Sequence, residues 1–529
     1  MRRGAGRRQG LPAASDSHSP LTPMTTKPTT TLGTVFLVGA GPGDPGLLTV
    51  RAVQCLEQAD LVLYDYLANP TLVEHAPEKA ELIRLGRHDS GRSLSPEEIT
   101  EVMVDAALEG RNVVRLKGGD PSIFARGGDE ADACRAAGVP FEIVPGITSG
   151  LATAAFAEIP LTHFEDASAV ALVTGHERDE KEESRLDYAA LAAFPGTLVL
   201  YMGVKWAGRW SQALMEHGKP PNTPVAVVQW CSRARQQTVR CTLETVAEVI
   251  GEKGLRPPSL FVVGKVVDHA PTLSWFEERP LFGTSVLVAG SRRTASKLRD
   301  RLATLGAEVL TQPAIRVTEP PDWAPVDSAL DRIREYDWLV FSSGNGVDYL
   351  IRRILERGGD ARVLSPVKIA ALGSGTAERL ADYHLKADLA PEKVNVPSMA
   401  ETLMAGAPGG ALLLARASGD QPVLAEELEE RGAAVDQIAV YRTVEIEEPN
   451  QDVADALAAG EVSWITVTSS PTARSLVRVY GESLRKSRIV SISPLTSASL
   501  QELGHEPEME ASPHTLEGMV DALLSRDRR

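Results

Sequence analysis

From Thr34 onward, short apolar runs alternate with segments of helical length, and this alternation restricts the fold more than any other feature of the chain. Runs at 35–38, 61–64, 113–116, 141–144, 170–174, 198–201, 225–228 and 260–267 read as strands. Strands that alternate with helices make an α/β architecture. The pattern lapses at 275–283, a stretch holding Pro280, and restarts cleanly at 286–289. With 529 residues, 43% of them hydrophobic, the chain exceeds what one core organises. The expected division is a disordered tail at 1–32, a first domain at 33–270, a linker at 271–282 and a second domain at 283–529.

A formal charge of −16 argues against nucleic acid or an anionic membrane as a partner, and obliges any polyanionic ligand to find a locally basic pocket. The four cysteines, Cys55, Cys134, Cys231 and Cys241, form no CxxC pair and have no clustered histidines, which gives neither a disulfide framework nor a metal site. The longest apolar stretches, such as that at 197–203, fall well short of the roughly 20 residues a membrane span requires. A soluble, cytoplasmic chain is expected. The tail is rich in Arg, Ser, Thr and Pro and lacks the apolar region of a secretory signal; a transit peptide, or a true start at Met24, would account for it equally.

The second half contains a weak internal repeat. Asp337-Trp338-Leu339-Val340-Phe341-Ser342-Ser343 recurs as Ser463-Trp464-Ile465-Thr466-Val467-Thr468-Ser469-Ser470, each copy ending a strand in a hydroxyl-rich turn. Each is followed by another strand and a Thr-led helix start, at Gly375-Thr376-Ala377 and Leu495-Thr496-Ser497. Two similar lobes are implied, one at about 283–311 and 443–529 and the other at about 318–437, joined by β-rich crossings near 311–319 and 437–445.

The first candidate site is Gly39-Ala40-Gly41-Pro42-Gly43-Asp44-Pro45-Gly46, a loop between a strand and a helix-like run. Counted from Gly41 it satisfies GxGxxG, and Asp65 stands about 20 residues on, the spacing of a dinucleotide fingerprint. Its chemistry points elsewhere. A diphosphate loop works through backbone N–H groups, yet Pro42 and Pro45 have none and Asp44 adds a negative charge. Such a loop suits a nucleoside carrying a cationic sulfonium; a tight strand-to-helix turn with no ligand is the other reading.

Long motifs then follow in order: Val113-Val114-Arg115-Leu116-Lys117-Gly118-Gly119-Asp120-Pro121-Ser122-Ile123-Phe124-Ala125-Arg126-Gly127-Gly128-Asp129-Glu130, Val144-Pro145-Gly146-Ile147-Thr148-Ser149, Ile159-Pro160-Leu161-Thr162-His163, Val173-Thr174-Gly175-His176 and Tyr201-Met202-Gly203. On these, residues 34 to about 268 resemble the tetrapyrrole methylases, specifically the uroporphyrinogen-III C-methyltransferases. The resemblance implies a two-lobed fold, a homodimer formed through this domain, and S-adenosylmethionine in the cleft between lobes. By position it implies cofactor contacts at Pro42, Gly118, Gly119, Asp120, Ile123, Thr148, Ser149, Met202, Ala226 and Cys231, the last where relatives often have glycine. Methyl transfer from a sulfonium needs chiefly in-line positioning and a proton acceptor, the role implied for Asp65. The family's proton-donating lysine is replaced by Arg87, which stays protonated and suits carboxylate anchoring better. His163 keeps its place for substrate, while the arginine usual after it is Phe164. Arg84, Arg87, Arg92, Lys117 and Arg126 flank the motifs and are the cations a polycarboxylate would meet.

The second half carries no paired carboxylates, metal spacing or nucleophile elbow. Its layout, with Phe341-Ser342-Ser343-Gly344-Asn345, Leu413-Leu414-Ala415-Arg416, Val440-Tyr441-Arg442-Thr443 and Thr468-Ser469-Ser470, resembles uroporphyrinogen-III synthase with flavodoxin-like lobes. That family cyclises hydroxymethylbilane without a cofactor. Tyr441 matches the tyrosine thought to assist loss of the hydroxyl, and is equally readable as a packed aromatic. Ser343, Thr376, Arg416, Ser470 and Thr496 are the implied substrate contacts, the threonines being equally readable as helix caps. The rival readings are a methylase of a later corrin precursor, and a dinucleotide oxidoreductase fused to a sensor module.

Overall fold

The computed structural model describes residues 31–77, 79–86, 94–176, 185–271, 273–390, 396–406, 410–419 and 423–525. Residues 1–30 of the tail expected at 1–32, with Arg87 and Arg92, lie outside them. The chain forms two compact units. One takes the chain up to Gly41 with Leu48–Ala68 and Val73–Gly146; the other takes Pro42–Leu47, Asn69–Leu72 and everything from Ile147 onward.

The first unit is built on a five-stranded sheet of β1 (Val35–Gly39), β2 (Leu61–Asp65), β3 (Glu81–Leu85), β4 (Val113–Lys117) and β5 (Phe141–Val144). Its order is β3-β2-β4-β1-β5, parallel throughout. Central strands buried on both faces read as continuous apolar runs, which is why β1, β2 and β4 stand out in the sequence. Edge strand β3 exposes Glu81 and Leu82, and no apolar run announces it. The helix Pro96–Leu108 starts at a capping box, Ser95 receiving the Glu98 N–H while the Glu98 carboxylate receives the Ser95 N–H.

The second unit contains two sheets. The smaller holds β6 (Val170–Thr174), β7 (Thr197–Tyr201), β8 (Pro224–Gln229), β9 (Gln237–Thr242) and β10 (Ser259–Val263) in the order β6-β7-β10-β8-β9. The strand read at 260–267 ends at Val263, because Gly264, at φ 145°, turns the chain into a 3₁₀ helix at Lys265–His269. The half-polar edge strand β9 is another that the apolar pattern does not reveal.

The larger sheet comprises β11 (Ser285–Ser291), β12 (Glu308–Thr318), β13 (Trp338–Phe341), β14 (Lys368–Ala371), β15 (Ala411–Ser418), β16 (Ala434–Glu445), β17 (Trp464–Val467), β18 (Arg488–Ser491) and β19 (Met509–Glu510). Its order is β14-β13-β15-β16-β12-β11-β17-β18-β19. Only β12 and β16 pair antiparallel, through Ile315–Thr318 and Arg442–Glu445, so the long strands weld two parallel half-sheets into one. Each half-sheet is covered on both faces by its own apolar clusters. The segment read as a linker is a packed strap: Ser274, Phe276 and Leu281 are buried, and Phe276 meets Phe156 edge-on at 4.8 Å.

Candidate functional site

In the first unit the motif residues cluster at the carboxyl ends of the parallel strands, where open α/β sheets bind ligands. Gly39, Gly119 and Gly146 interlock there. A Cβ on Gly146 would stand 2.2 Å from the Gly119 carbonyl oxygen, and one on Gly39 2.5 Å from Gly146 Cα. Asp120 braces this turn: its carboxylate accepts the N–H groups of Ser122 (2.7 Å) and Gly146 (3.0 Å). Gly118 differs, since a Cβ there would meet only Leu67 Cβ, at 3.5 Å. Phe124 and Arg126 both adopt left-handed backbone at the end of this motif, beyond a half-buried Ile123, and Arg126 pairs with Asp129 at the surface.

Asp65 ends β2 with its side chain partly exposed, held by Arg115 (2.6 Å) and the Gly118 N–H (3.3 Å). Behind it lies a buried ion cluster: Glu130 Oε1 accepts from Arg115 Nε at 3.1 Å and from Lys117 Nζ at 2.8 Å. Burial, reinforced by Arg115, lowers the Lys117 pKa, a shift Glu130 opposes. Lys117 is thus enclosed and paired, and the reading of it as a substrate-facing cation is corrected. Arg115 and Lys117 lie two residues apart on one face of a central strand, and that placing of charges was the sequence sign of a buried network.

In the second unit, Thr148 precedes the helix Ser149–Phe156 without capping it; its hydroxyl shares a 2.8 Å hydrogen bond with Tyr201, which also accepts the Gly150 N–H. Ser149 opens that helix half-buried. Met202, directly after β7, has φ 57° and a half-exposed side chain. A long apolar side chain presented from strained backbone is a ligand-type feature. Ala226 is fully buried between β9 and β10, and the structure leaves none of it open to a ligand. Cys231 is buried too, receiving the Thr153 hydroxyl at 3.6 Å; burial pushes its thiol up to about 12. His163 stacks on His269 at 4.1 Å, and both contact Asp166, whose pKa the His269 hydrogen bond lowers. These three groups lie within 4.8 Å of one another, a cluster invisible in the sequence because His269 comes from beyond β10. Nearly parallel rings cannot turn both lone pairs onto one ion, so the cluster reads as a hydrogen-bonded stack.

Most backbone N–H groups of the glycine loop are engaged within the protein. Ala40 N–H donates to the Lys117 carbonyl and Gly41 N–H to that of Gly119. Pro42 and Pro45 have no N–H. Asp44 N–H donates to Ser232 Oγ (3.1 Å), Gly46 N–H to the Asp44 carboxylate (2.8 Å), and Leu47 N–H to the Asp44 carbonyl. With these donors spent inside the protein and the Gly43 N–H alone outside this set of bonds, the loop offers a diphosphate little, while its carbonyls suit a cation.

In the larger sheet the implied substrate residues also fall at strand ends. Ser343 caps the helix Gly344–Glu356 by accepting the Gly346 N–H, and shares a 2.9 Å hydrogen bond with the Tyr441 hydroxyl. Tyr441 is buried on β16, its ring 6.0 Å from that of Tyr349. Arg416 lies two residues before the end of β15, at a bulge opposite β16, half-buried. Ser470 donates to the Leu495 carbonyl at 3.2 Å. Thr376 and Thr496 are buried; Thr376 donates back to the Leu372 carbonyl, which commits its proton, Thr496 shares a hydrogen bond with Ser493, and neither caps its helix. The helices they enter, Ser374–Asp382 and Pro494–Glu502, lack side-chain N-cap bonds, whereas Ser291, Ser343 and Ser469 cap theirs. Lys297 Nζ comes within 4.0 Å of Glu378, bringing the helix after β11 up to the helix after β14. Among the described residues no helix is long and apolar enough to cross a membrane.

Both domains answer to known families. Residues 34–247 match the tetrapyrrole (corrin/porphyrin) methylases and residues 296–521 the uroporphyrinogen-III synthases (HemD), which defines the class as a methylase domain followed by a synthase domain. A porphyrin biosynthesis protein HemD of Ruminiclostridium josui is 32% identical over 93% of this chain and 98% of its own length. A uroporphyrinogen-III C-methyltransferase of Bacillus subtilis is 40% identical over 64% of this chain and 69% of its own. An S-adenosyl-L-methionine-dependent uroporphyrinogen III methyltransferase of Methanosarcina barkeri is 47% identical over 44% of this chain and 92% of its own. The chain belongs to the uroporphyrinogen-III C-methyltransferases, in the form joined to a uroporphyrinogen-III synthase domain. It is a bifunctional enzyme of tetrapyrrole biosynthesis.

Proposed function

We propose that the second domain cyclises hydroxymethylbilane to uroporphyrinogen III and that the first transfers methyl groups to that product, giving precorrin-2. The observation that carries the methylase half is the engagement of most N–H donors of the glycine loop within the protein, which disfavours diphosphate and favours a sulfonium nucleoside. The residues present fit S-adenosylmethionine, each unit taken by itself: the first offers close backbone approach at the open face of Gly118, and the second offers the outward Met202 for apolar contact and the Thr148–Tyr201 pair for polar anchoring. That cofactor, when bound, supplies an electrophilic methyl group.

Positioning is then the protein's main task. Asp65, fixed by Arg115 and the Gly118 N–H, is the group to accept the proton the macrocycle gives up. Arg126 and His163 supply carboxylate contacts. In the synthase domain the uncapped helix starts after β14 and β18 hold carboxylates through backbone N–H groups, and Arg416 adds a charge. The Tyr441 phenol, aligned by Ser343, assists departure of the hydroxyl as water. The chain acts as a cytoplasmic homodimer, and its net charge of −16 supports the absence of nucleic-acid and membrane partners.

The test supplies hydroxymethylbilane and methyl-labelled S-adenosylmethionine to the purified full chain. Labelled precorrin-2 is expected. Formation of the isomer-I porphyrin alone removes the synthase assignment, and a macrocycle without label removes the methylase one.

A further inference from the structure

The loop that follows β8, from Trp230 to Gln236, touches both the glycine loop and the synthase domain. Trp230 and Ser232 hold left-handed backbone, at φ 51° and 67°, a conformation that persists only where the surroundings impose it. Toward the glycine loop, Ser232 Oγ receives the Asp44 N–H, and the Arg233 stem packs so closely on Gly43 that a Cβ there would stand 2.5 Å from Arg233 Cδ. Toward the synthase domain, Arg233 forms a two-pronged ion pair with Glu308, the first residue of β12, and Glu308 also receives the Ala234 N–H. The Ala234 carbonyl accepts the Gly283 N–H; Arg235 lies over the Trp230 ring at 3.6 Å and reaches Glu461 at 3.4 Å. Gln236 ties the loop to itself and to the strap, accepting the Ser232 N–H and donating to Glu277.

The Arg233–Glu308 pair is nearly enclosed, with side chains 9% and 15% exposed. Burial alone would raise the Glu308 carboxyl, but Arg233, Arg235 and the Ala234 N–H outweigh it and the group titrates below the ordinary glutamate range. One arginine therefore packs its stem against the glycine loop and its guanidinium against the first domain's neighbour.

We propose that Glu308 of the synthase domain is a positioning residue for methyl-donor binding: through Arg233 and Ser232 it sets the glycine loop, so the synthase domain completes the support of the methylase's cofactor site. The proposal rests on reading Pro42–Leu47 as donor-binding. Coupling of this kind is reciprocal, so ligand at the loop must also steady β12.

The experiment uses the full chain, with S-adenosylhomocysteine as probe in calorimetry and hydrogen exchange. Glu308→Gln should raise the Kd for the probe and the KM for S-adenosylmethionine about five- to tenfold, leaving the methylation kcat unchanged. Glu308→Asp should recover part of the loss. In the wild type the probe should slow exchange at the start of β12, and Ser232→Ala should abolish that slowing. Equal Kd values in wild type and Glu308→Gln would overturn the proposal. Should Glu308→Gln not fold, persistence of the probe-dependent protection of β12 in Ser232→Ala overturns it instead. A wild type that binds no probe at all removes the donor-loop reading itself, and the proposal with it.

Discussion

Up to residue 270 the strand ends are closed by interlocked glycines and strained turns, whereas beyond residue 283 they are closed by serines that cap helices. Phe124, Arg126, Glu158, Met202, Trp230 and Ser232 are left-handed in the first half, against His384 alone among the described residues of the second. Backbone so constrained tolerates few residue types at each position. Hydroxyl caps interchange freely among Ser, Thr, Asp and Asn, and uncapped N–H groups impose almost nothing on side chains. The two candidate sites thus differ in what shapes them: specified backbone in one, generic helix starts in the other.

The sharpest way to break this contrast is Asp65→Asn. It should lower methylation kcat about 10²- to 10⁴-fold while leaving synthase turnover intact, as expected for loss of a positioned proton acceptor. Single-turnover methylation of supplied uroporphyrinogen III measures it, and an unchanged rate would return Asp65 to a purely structural role. Next in size is Glu130→Ala, which leaves Arg115 and Lys117 as adjoining buried cations with their shared partner gone. Breaking a buried pair in this way costs about 3–5 kcal/mol. Urea denaturation followed by methylase activity should show the first domain failing early while synthase activity persists. In the second half, Tyr441→Phe removes only the hydroxyl bonded to Ser343 and should slow cyclisation about tenfold, with a stability loss of about 1 kcal/mol. A loss confined to stability would make Tyr441 the packed aromatic that its burial also permits.

The same contrast explains what the sequence discloses. The α/β class, the methylase family and its cofactor are legible because the motifs at 113–130 and 144–149 encode turns that only particular residues can make. The edge strands β3 and β9 escape notice because exposed residues dilute their apolar pattern. Lys117 reads as a surface cation because its partner, Glu130, belongs to the next helix, and only its placing with Arg115 on one face of a central strand hints at burial. Thr376 and Thr496 read as ligands because a hydroxyl at a helix start looks alike whether it faces outward or bonds inward, as Thr376 does to the Leu372 carbonyl and Thr496 to the Ser493 hydroxyl. The spent N–H groups of the glycine loop are half legible: the prolines announce themselves, but the bonds from Asp44 to Ser232 and from Gly41 to Gly119 require the fold.

The smallest effect concerns the thiols, and it tests whether the methylase half is as tightly closed as its strained turns require. All four cysteines lie in that half, and burial raises every thiol: Cys55 upward, Cys134 and Cys241 to about 11, and Cys231 to about 12. A thiol reacts as the thiolate, so near pH 8 the native chain should show almost no fast reaction with an aromatic disulfide reagent, and four equivalents after denaturation. The pH dependence has a definite sign. A group whose folded pKa lies above its unfolded value of 9.0 holds its proton in the native state while the unfolded chain has lost it, so the native state binds more protons between the two values. Its contribution to stability is complete below pH 9 and declines as pH rises toward the folded value. The methylase half should therefore lose stability above pH 9 before the cysteine-free synthase half does, and Cys231→Ala should flatten that loss without altering reactivity at pH 8. Rapid modification of Cys231 in the native chain would mean that the loop bearing it opens readily, and the first half would then share the tolerance of the second.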